Sequence, residues 1–313
     1  MNNNDFRQLK NNIVKYYELE IVDYTPITFK SYQVITSSNQ KYFIKKTNPI
    51  TLDKYQYLFH QGVKNVYYPI ENIDKKFITV LKDDSFFVNE YIEPINLRKD
   101  VQVYNFFYSL RELHTNTEIK KTLTPSKSRA KIDELTKQLD YKFRMIEQYV
   151  RKLENKPINM FSLPILENYH YILDLKKELI KLQKRIIGSV KRNESVNYSF
   201  IHNNPSVDHL VNIKGINYLT SLDHGKIGIS SLDLAKFYIM NENSDINFPE
   251  LLVKEYFDEN NKFYYDYFRY LVLVILIKKL YLTNDEYINS STFIKISESI
   301  NNYFKNFSDL IDK

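Results

Sequence analysis

The sequence predicts an α+β fold in two lobes, a small β-rich lobe over residues 1–95 and a larger, mainly helical lobe over residues 96–313. Three observations predict it. Strand-type residues gather around short polar turns in the first 95 residues. From residue 101 apolar side chains recur at steps of three and four, the spacing of one helix face. Residues 198–223 then return to strand-like runs before the helical pattern resumes near residue 232. At 313 residues the chain is long enough for two modest cores.

Residues 13–46 read as strands, and "YQVITSSNQKYFIKK" reads as a hairpin turning at "SSNQ". Residues 51–62 read as a short helix stopped by Gly62. "FITVLKDDSFFVNEYI" reads as a second hairpin, turning at Asp83–Asp84. After "EPINLRKD" the period changes, and residues 101–114 read as a helix. Ile132, Leu135, Leu139, Phe143, Ile146, Val150 and Leu153 then mark one face of a long helix. Pro157 and Pro164 bracket a connection, and a second long helix follows with Tyr169, Ile172, Leu175, Leu179, Leu182 and Ile186 on one face. The two are expected to pair antiparallel over residues 130–190 with basic faces outward. The hairpin-like run 198–223 carries two turns, "NNPSVD" and "IKGIN".

Composition narrows the functional classes. There is no Cys, which excludes disulfides, thiolate catalysis and Cys-based zinc sites. No two of the six His stand at helical spacing with an acid between them, so no zinc-ligand pattern appears. The start has no signal-peptide pattern, and "YLVLVILI" is too short to span a bilayer, so a cytoplasmic protein is expected. The net charge of +6 is unevenly spread: residues 120–192 hold 18 Lys/Arg against 8 Asp/Glu. Such a segment is first a solvated helix face, then a docking face for protein partners; nucleic acid is a less favoured partner. The 27 Tyr and scarcity of Gly read as genome composition before they read as a binding surface.

The chemistry-bearing residues cluster at "SFIHNNPSVDHLV" (199–211) and "YLTSLDHGKIGISSLDLAKF" (218–237). A small β-rich lobe followed by a helical lobe that contains a hairpin is the layout of protein-kinase-like folds. With these motifs the chain resembles the aminoglycoside phosphotransferase and choline kinase superfamily. In that family the loop reads His-Gly-Asp, four residues, Asn; here His202, Asn203, Asn204 and His209 stand at those positions. Of the family's two metal-segment acids, the first is Ser221 here and the second Asp223. Asp233 of "LDLAKF" follows Ser221 by twelve residues, as the family's next Asp does. Lys45 of "KYFIKK" stands at the phosphate-binding Lys, Asn89, Glu90 and Ile92 stand at the nucleotide-base position, and His114 of "LRELHTNT" matches a family helix. Within the superfamily the opening "IVKYYELEIVDYTPITFKSYQVITSSNQKYFIKK" looks most like the spore-coat-associated kinase-like proteins of Firmicutes. That resemblance implies a place in the spore coat or the mother-cell cytoplasm.

The resemblance implies ATP and Mg²⁺ as possible cofactors, and the residues put both in doubt. Phosphoryl transfer needs a carboxylate to position the attacking hydroxyl and a second to hold Mg²⁺ on the phosphates. Asn204 cannot act as a base, Ser221 is neutral, and His209 prefers softer metals than Mg²⁺. "YTPITFKSYQ", where a phosphate-covering loop belongs, has no Gly to let the backbone approach closely. No obvious Glu pairs with Lys45, and Asp53 is the nearest candidate. The expectation is therefore a degenerate kinase that acts as a binding or scaffold protein. The alternative is an active ATP-dependent small-molecule kinase, with Asn204 and Asp208 flanking the substrate hydroxyl and Asp223 on the metal.

Overall fold

The computed structural model describes residues 3–82, 84–93, 97–122, 125–192, 195–257 and 262–307. Asp83 of the second expected turn, and residues 94–96 of "EPINLRKD", lie outside them. In chain order the elements are α1 (Asn3–Tyr17), β1 (Ile21–Pro26), β2 (Ser31–Thr36), β3 (Lys41–Lys46), α2 (Thr51–His60), β4 (Thr79–Val80), β5 (Ser85–Glu90) and α3 (Lys99–Asn116). Then follow β6 (Ile119–Thr122), α4 (Pro125–Glu154), α5 (Ser162–Arg192), β7 (Ser195–Ile201), β8 (Leu210–Ile213), β9 (Ile216–Leu219) and β10 (Lys226–Gly228). Four helices close the chain: α6 (Ser231–Asn241), α7 (Phe248–Glu255), α8 (Lys262–Lys279) and α9 (Glu286–Phe307). This is the expected α+β content, an antiparallel sheet early and mainly helix later.

The chain forms two compact units, residues 1–117 with 200–227, and residues 118–199 with 228–313. The first holds a five-stranded sheet in the order β1-β2-β3-β5-β4. β2 and β3 form the expected hairpin, with Ile35 opposite Lys41 across the turn. β5 lies antiparallel to β3 and is buried along nearly its whole length, as befits a strand flanked on both edges. Leu9 and Ile13 of α1 close one core with Ile21, Tyr32, Val34, Ile44, Phe86 and Val88. Each such side chain contributes about 1.5–3 kcal/mol relative to its exposed form.

The strand reading of residues 13–17 is corrected here: they complete α1, whose apolar positions face this core. α2 ends as Gly62 foretold. Gly62 adopts φ +69, its N–H reaches the Phe59 carbonyl, and the Val63 N–H reaches that of Leu58. This paired arrangement satisfies the last carbonyls of a helix and suits glycine.

The second unit is helical apart from β6 and β7, which pair antiparallel from Ile119↔Tyr198 to Thr122↔Ser195. α4 and α5 bury Leu139, Phe143, Ile146, Val150 and Leu153 from one helix and Ile172, Leu175, Leu179, Leu182 and Ile186 from the other. Gln183, late in α5, donates to the Thr136 hydroxyl early in α4 at 2.7 Å, so the pair runs antiparallel. Pro164 does not end the connection but sits in the first turn of α5, where a missing N–H costs nothing. The apolar run 270–277 is buried within α8. No described helix is long and apolar enough to cross a membrane.

Candidate functional site

The candidate site lies in the first unit, where residues 200–227 return to the sheet-bearing part of the chain. Backbone bonds fix this segment. The Tyr67 N–H meets the Leu219 carbonyl at 2.9 Å, and the Leu219 N–H meets that of Asn65 at 2.8 Å. Gly225 is required by packing, since a Cβ there would stand 2.4 Å from the buried Phe200 ring.

His202 organises the loop from inside. It is fully buried, its Nε2 lies 2.9 Å from the Thr220 carbonyl, and its Nδ1 accepts the Asn204 N–H at 3.3 Å. An Nδ1 that accepts leaves the proton on Nε2, so the ring is neutral and supports the loop. His209 stacks on it at 5.3 Å and donates from Nδ1 to the Asn204 carbonyl at 2.9 Å. Asn203 takes φ +64 and Ser221 φ +58, left-handed backbone in which Asn is among the few tolerated non-glycine residues. Asn203 also donates from its side chain to the His224 carbonyl at 3.1 Å.

Ser206 caps the turn at 207–209, accepting the Asp208 N–H at 3.4 Å and donating to the Asp208 carboxylate at 3.1 Å. His209 is held below its ordinary value of 6.5, first by burial, with the Lys45 charge adding to it against the Asn204 hydrogen bond and nearby acids. The folded state therefore resists a proton that the unfolded state accepts near 6.5. Stability is full above that value and declines as pH falls through it. We expect urea stability to drop between about pH 7 and 5, and His209→Gln to flatten that drop. Equal slopes in the two proteins would contradict it.

Five of the expected residues, Asn89, Glu90, Ile92, Asp208 and Ser221, line one cleft of about 180 Å³. Its walls are Phe43, Tyr55, Tyr67 and Phe87, and its polar lining includes Asn89, Glu90, Asp208 and Ser221 together with Ile92 and Thr220. Asn89 donates to the Tyr68 carbonyl at 3.3 Å, while its buried Oδ1 has no partner. Asn89 thus lines an aromatic-walled cleft, a setting that fits a flat ligand.

At the Ser221 end, Lys45 Nζ contacts Asp223 Oδ1 at 2.8 Å, both side chains mostly buried. Lys45 shares a face of β3 with Phe43 and lies opposite Phe87. So the acid paired with Lys45 is Asp223 and not Asp53, which is exposed. Burial alone would raise the Asp223 pKa, but the charge and hydrogen bond of Lys45 outweigh it and hold the carboxyl below its usual range. Lys54 of α2, which the sequence did not single out, donates to the Asp223 main-chain carbonyl. Burial lowers its pKa, with Asp223 opposing. His224 Nε2 lies 3.6 Å from the remaining Asp223 oxygen.

Asp233 is buried in the first turn of α6, in the second unit. His114 is buried near the end of α3, and His60 ends α2.

The donor set does not suit Mg²⁺. Ser221 is neutral, the Asp223 carboxylate is already engaged by Lys45, and two ammonium groups stand where a dication would need carboxylates. Among the described residues no group of three or more His, Asp or Glu is placed to hold a metal ion.

Solved structures share this architecture. One is an aminoglycoside phosphotransferase from Alicyclobacillus acidocaldarius, 12% identical, covering 96% of both chains with a TM-score of 0.66. Another is a spectinomycin phosphotransferase in complex with ADP and spectinomycin, 16% identical over 96% of this chain and 98% of that one, TM-score 0.55. A choline kinase from Streptococcus pneumoniae is 16% identical over 95% of this chain and 99% of that one, TM-score 0.50. The fold is thus the kinase-like fold of aminoglycoside phosphotransferases and choline kinase. No protein-family model matches the chain, and no curated protein matches it.

Proposed function

We propose that this chain is a degenerate member of the aminoglycoside phosphotransferase and choline kinase superfamily, one that binds an adenine nucleotide and acts as a binding or scaffold protein with little or no phosphate transfer. One observation carries the reading. Where the reaction needs one carboxylate at the hydroxyl and another on the metal, this site offers the Asn204 carboxamide, the Ser221 hydroxyl and an Asp223 carboxylate bound to Lys45. Loss of a positioned base alone removes about 10²–10⁴ in rate.

Nucleotide binding is supported by the aromatic cleft and by the spectinomycin phosphotransferase solved with ADP and with AMP. In this reading Asn89, Glu90 and Ile92 hold the base and Lys45 the phosphates. The resemblance to spore-coat kinase-like proteins supports a partner in that structure, with the basic residues of α4 and α5 as the docking face.

The test is ATP turnover with a pool of aminoglycosides and choline, in Mg²⁺ and in Mn²⁺, beside thermal melts with ADP. We expect no turnover above the enzyme-free rate. We also expect a stabilisation of about 2.7 kcal/mol at a hundredfold excess of ADP over Kd. Turnover in the wild type that Asn204→Ala or Asp223→Ala abolishes would overturn the proposal.

A further inference from the structure

We propose that this site grips the phosphate chain of its nucleotide with two lysines, Lys45 and Lys54, in place of a divalent cation, so that binding is metal-independent. The inference rests on the nucleotide reading above and adds to it how the phosphates are held.

Lys45 comes from β3 and Lys54 from α2, yet both converge on Asp223, one at the carboxylate and the other at the main-chain carbonyl. Asp223 is therefore the shared anchor of the two ammonium groups. Each ammonium has three N–H donors and spends one on Asp223, which leaves the others for an oxyanion. A polyphosphate can take up those free donors as charge-assisted hydrogen bonds.

The pair also stands in the right place. Ser221, two residues before Asp223, lines the cleft, as do Phe43 and Phe87, the same-face and cross-strand neighbours of Lys45. A base between the aromatic walls would send its phosphates toward this end. A divalent cation entering here meets two ammonium groups and an Asp223 carboxylate already paired with Lys45. Magnesium-bound nucleotide carries less negative charge than the free form, and so suits the lysine pair less well.

Titration calorimetry on the full chain at fixed ionic strength tests this, with ADP, adenosine and inorganic tripolyphosphate as probes, each in EDTA and in excess Mg²⁺. We expect ADP to bind in EDTA at least as tightly as in Mg²⁺, and about tenfold or more tighter than adenosine. Lys54→Met should erase most of that preference of ADP over adenosine, and Lys54→Arg should restore much of it. Thermal melts of the variants confirm that each is folded.

An ADP affinity about tenfold or more higher with Mg²⁺ than in EDTA overturns the proposal, as does a Lys54→Met protein that keeps the full preference. If adenosine binds and ADP binds no better, the clamp falls while the nucleotide reading stands. If tripolyphosphate binds through Lys54 but no nucleoside or nucleotide is preferred over it, the clamp stands and the nucleotide reading falls. Silence from all three probes overturns both.

Discussion

Arg269→Met should lower the unfolding free energy by about 3–5 kcal/mol, the range for breaking a buried ion pair by removing one partner. Arg269 is 2% exposed on α8, in the middle of the second unit's core. Its Nη2 donates to Glu178 Oε1 of α5 at 2.8 Å, its Nε donates to the Tyr303 hydroxyl of α9 at 3.0 Å, and its guanidinium lies over the Tyr265 and Tyr303 rings. One side chain thus ties three helices. Methionine fills much of the volume but strands Glu178, whose remaining cationic neighbour, Lys181, is 4.0 Å away and half exposed. Asp266 is also affected. Burial holds its carboxyl above the usual range while Arg185 and Arg269 oppose that rise. Without Arg269 the Asp266 carboxyl resists ionisation more strongly, so the variant's deficit should be largest near neutral pH and shrink as Asp266 takes up its proton. Urea denaturation at two pH values decides it: a loss below about 1 kcal/mol, or one that grows on acidification, would refute the argument.

His202→Leu is the second large effect expected. Leucine keeps the bulk but deprives the Thr220 carbonyl and the Asn204 N–H of their partners, at about 1–3 kcal/mol for each buried group left unpaired. The loop that carries Asn203, Asn204 and His209 should loosen with it, and ADP binding should weaken together with stability. His202→Gln, which retains a donor and an acceptor, should recover part of both. A His202→Leu protein as stable as the wild type would show that the imidazole hydrogen bonds contribute little.

Much of this could be read in the sequence because the relevant signals are local. The "SSNQ" turn, the Gly62 stop and the apolar faces of α4 and α5 depend on residues a few positions apart, and each appears where expected. Asn89, Glu90, Ile92, Asp208 and Ser221, singled out through the family resemblance, line one cleft. What was missed depends on long-range packing. Residues 13–17 mix apolar and aromatic side chains in a way that suits a strand as well as a helix, and only packing on the sheet of the first unit decides between them. The Lys54 contact joins residues 169 positions apart, and nothing in "LDKYQYLF" hints at it. Asp53 looked like the partner of Lys45 because it is near in sequence, yet it faces solvent while Asp223 arrives from 178 residues away.

The left-handed backbone at Asn203 and Ser221 bears on what the site could become. A non-glycine residue held at such a φ costs on the order of 1–3 kcal/mol, so the main chain holds a demanding shape beside Asn204 and at Ser221. Aspartate tolerates that conformation as well as or better than serine does, and aspartate at position 204 differs from asparagine by one functional group. On the proposed reading, the step between a mute nucleotide holder and a working transferase is therefore short. It runs through a few codons at 204, 221 and 54, with the bends of the chain already in place.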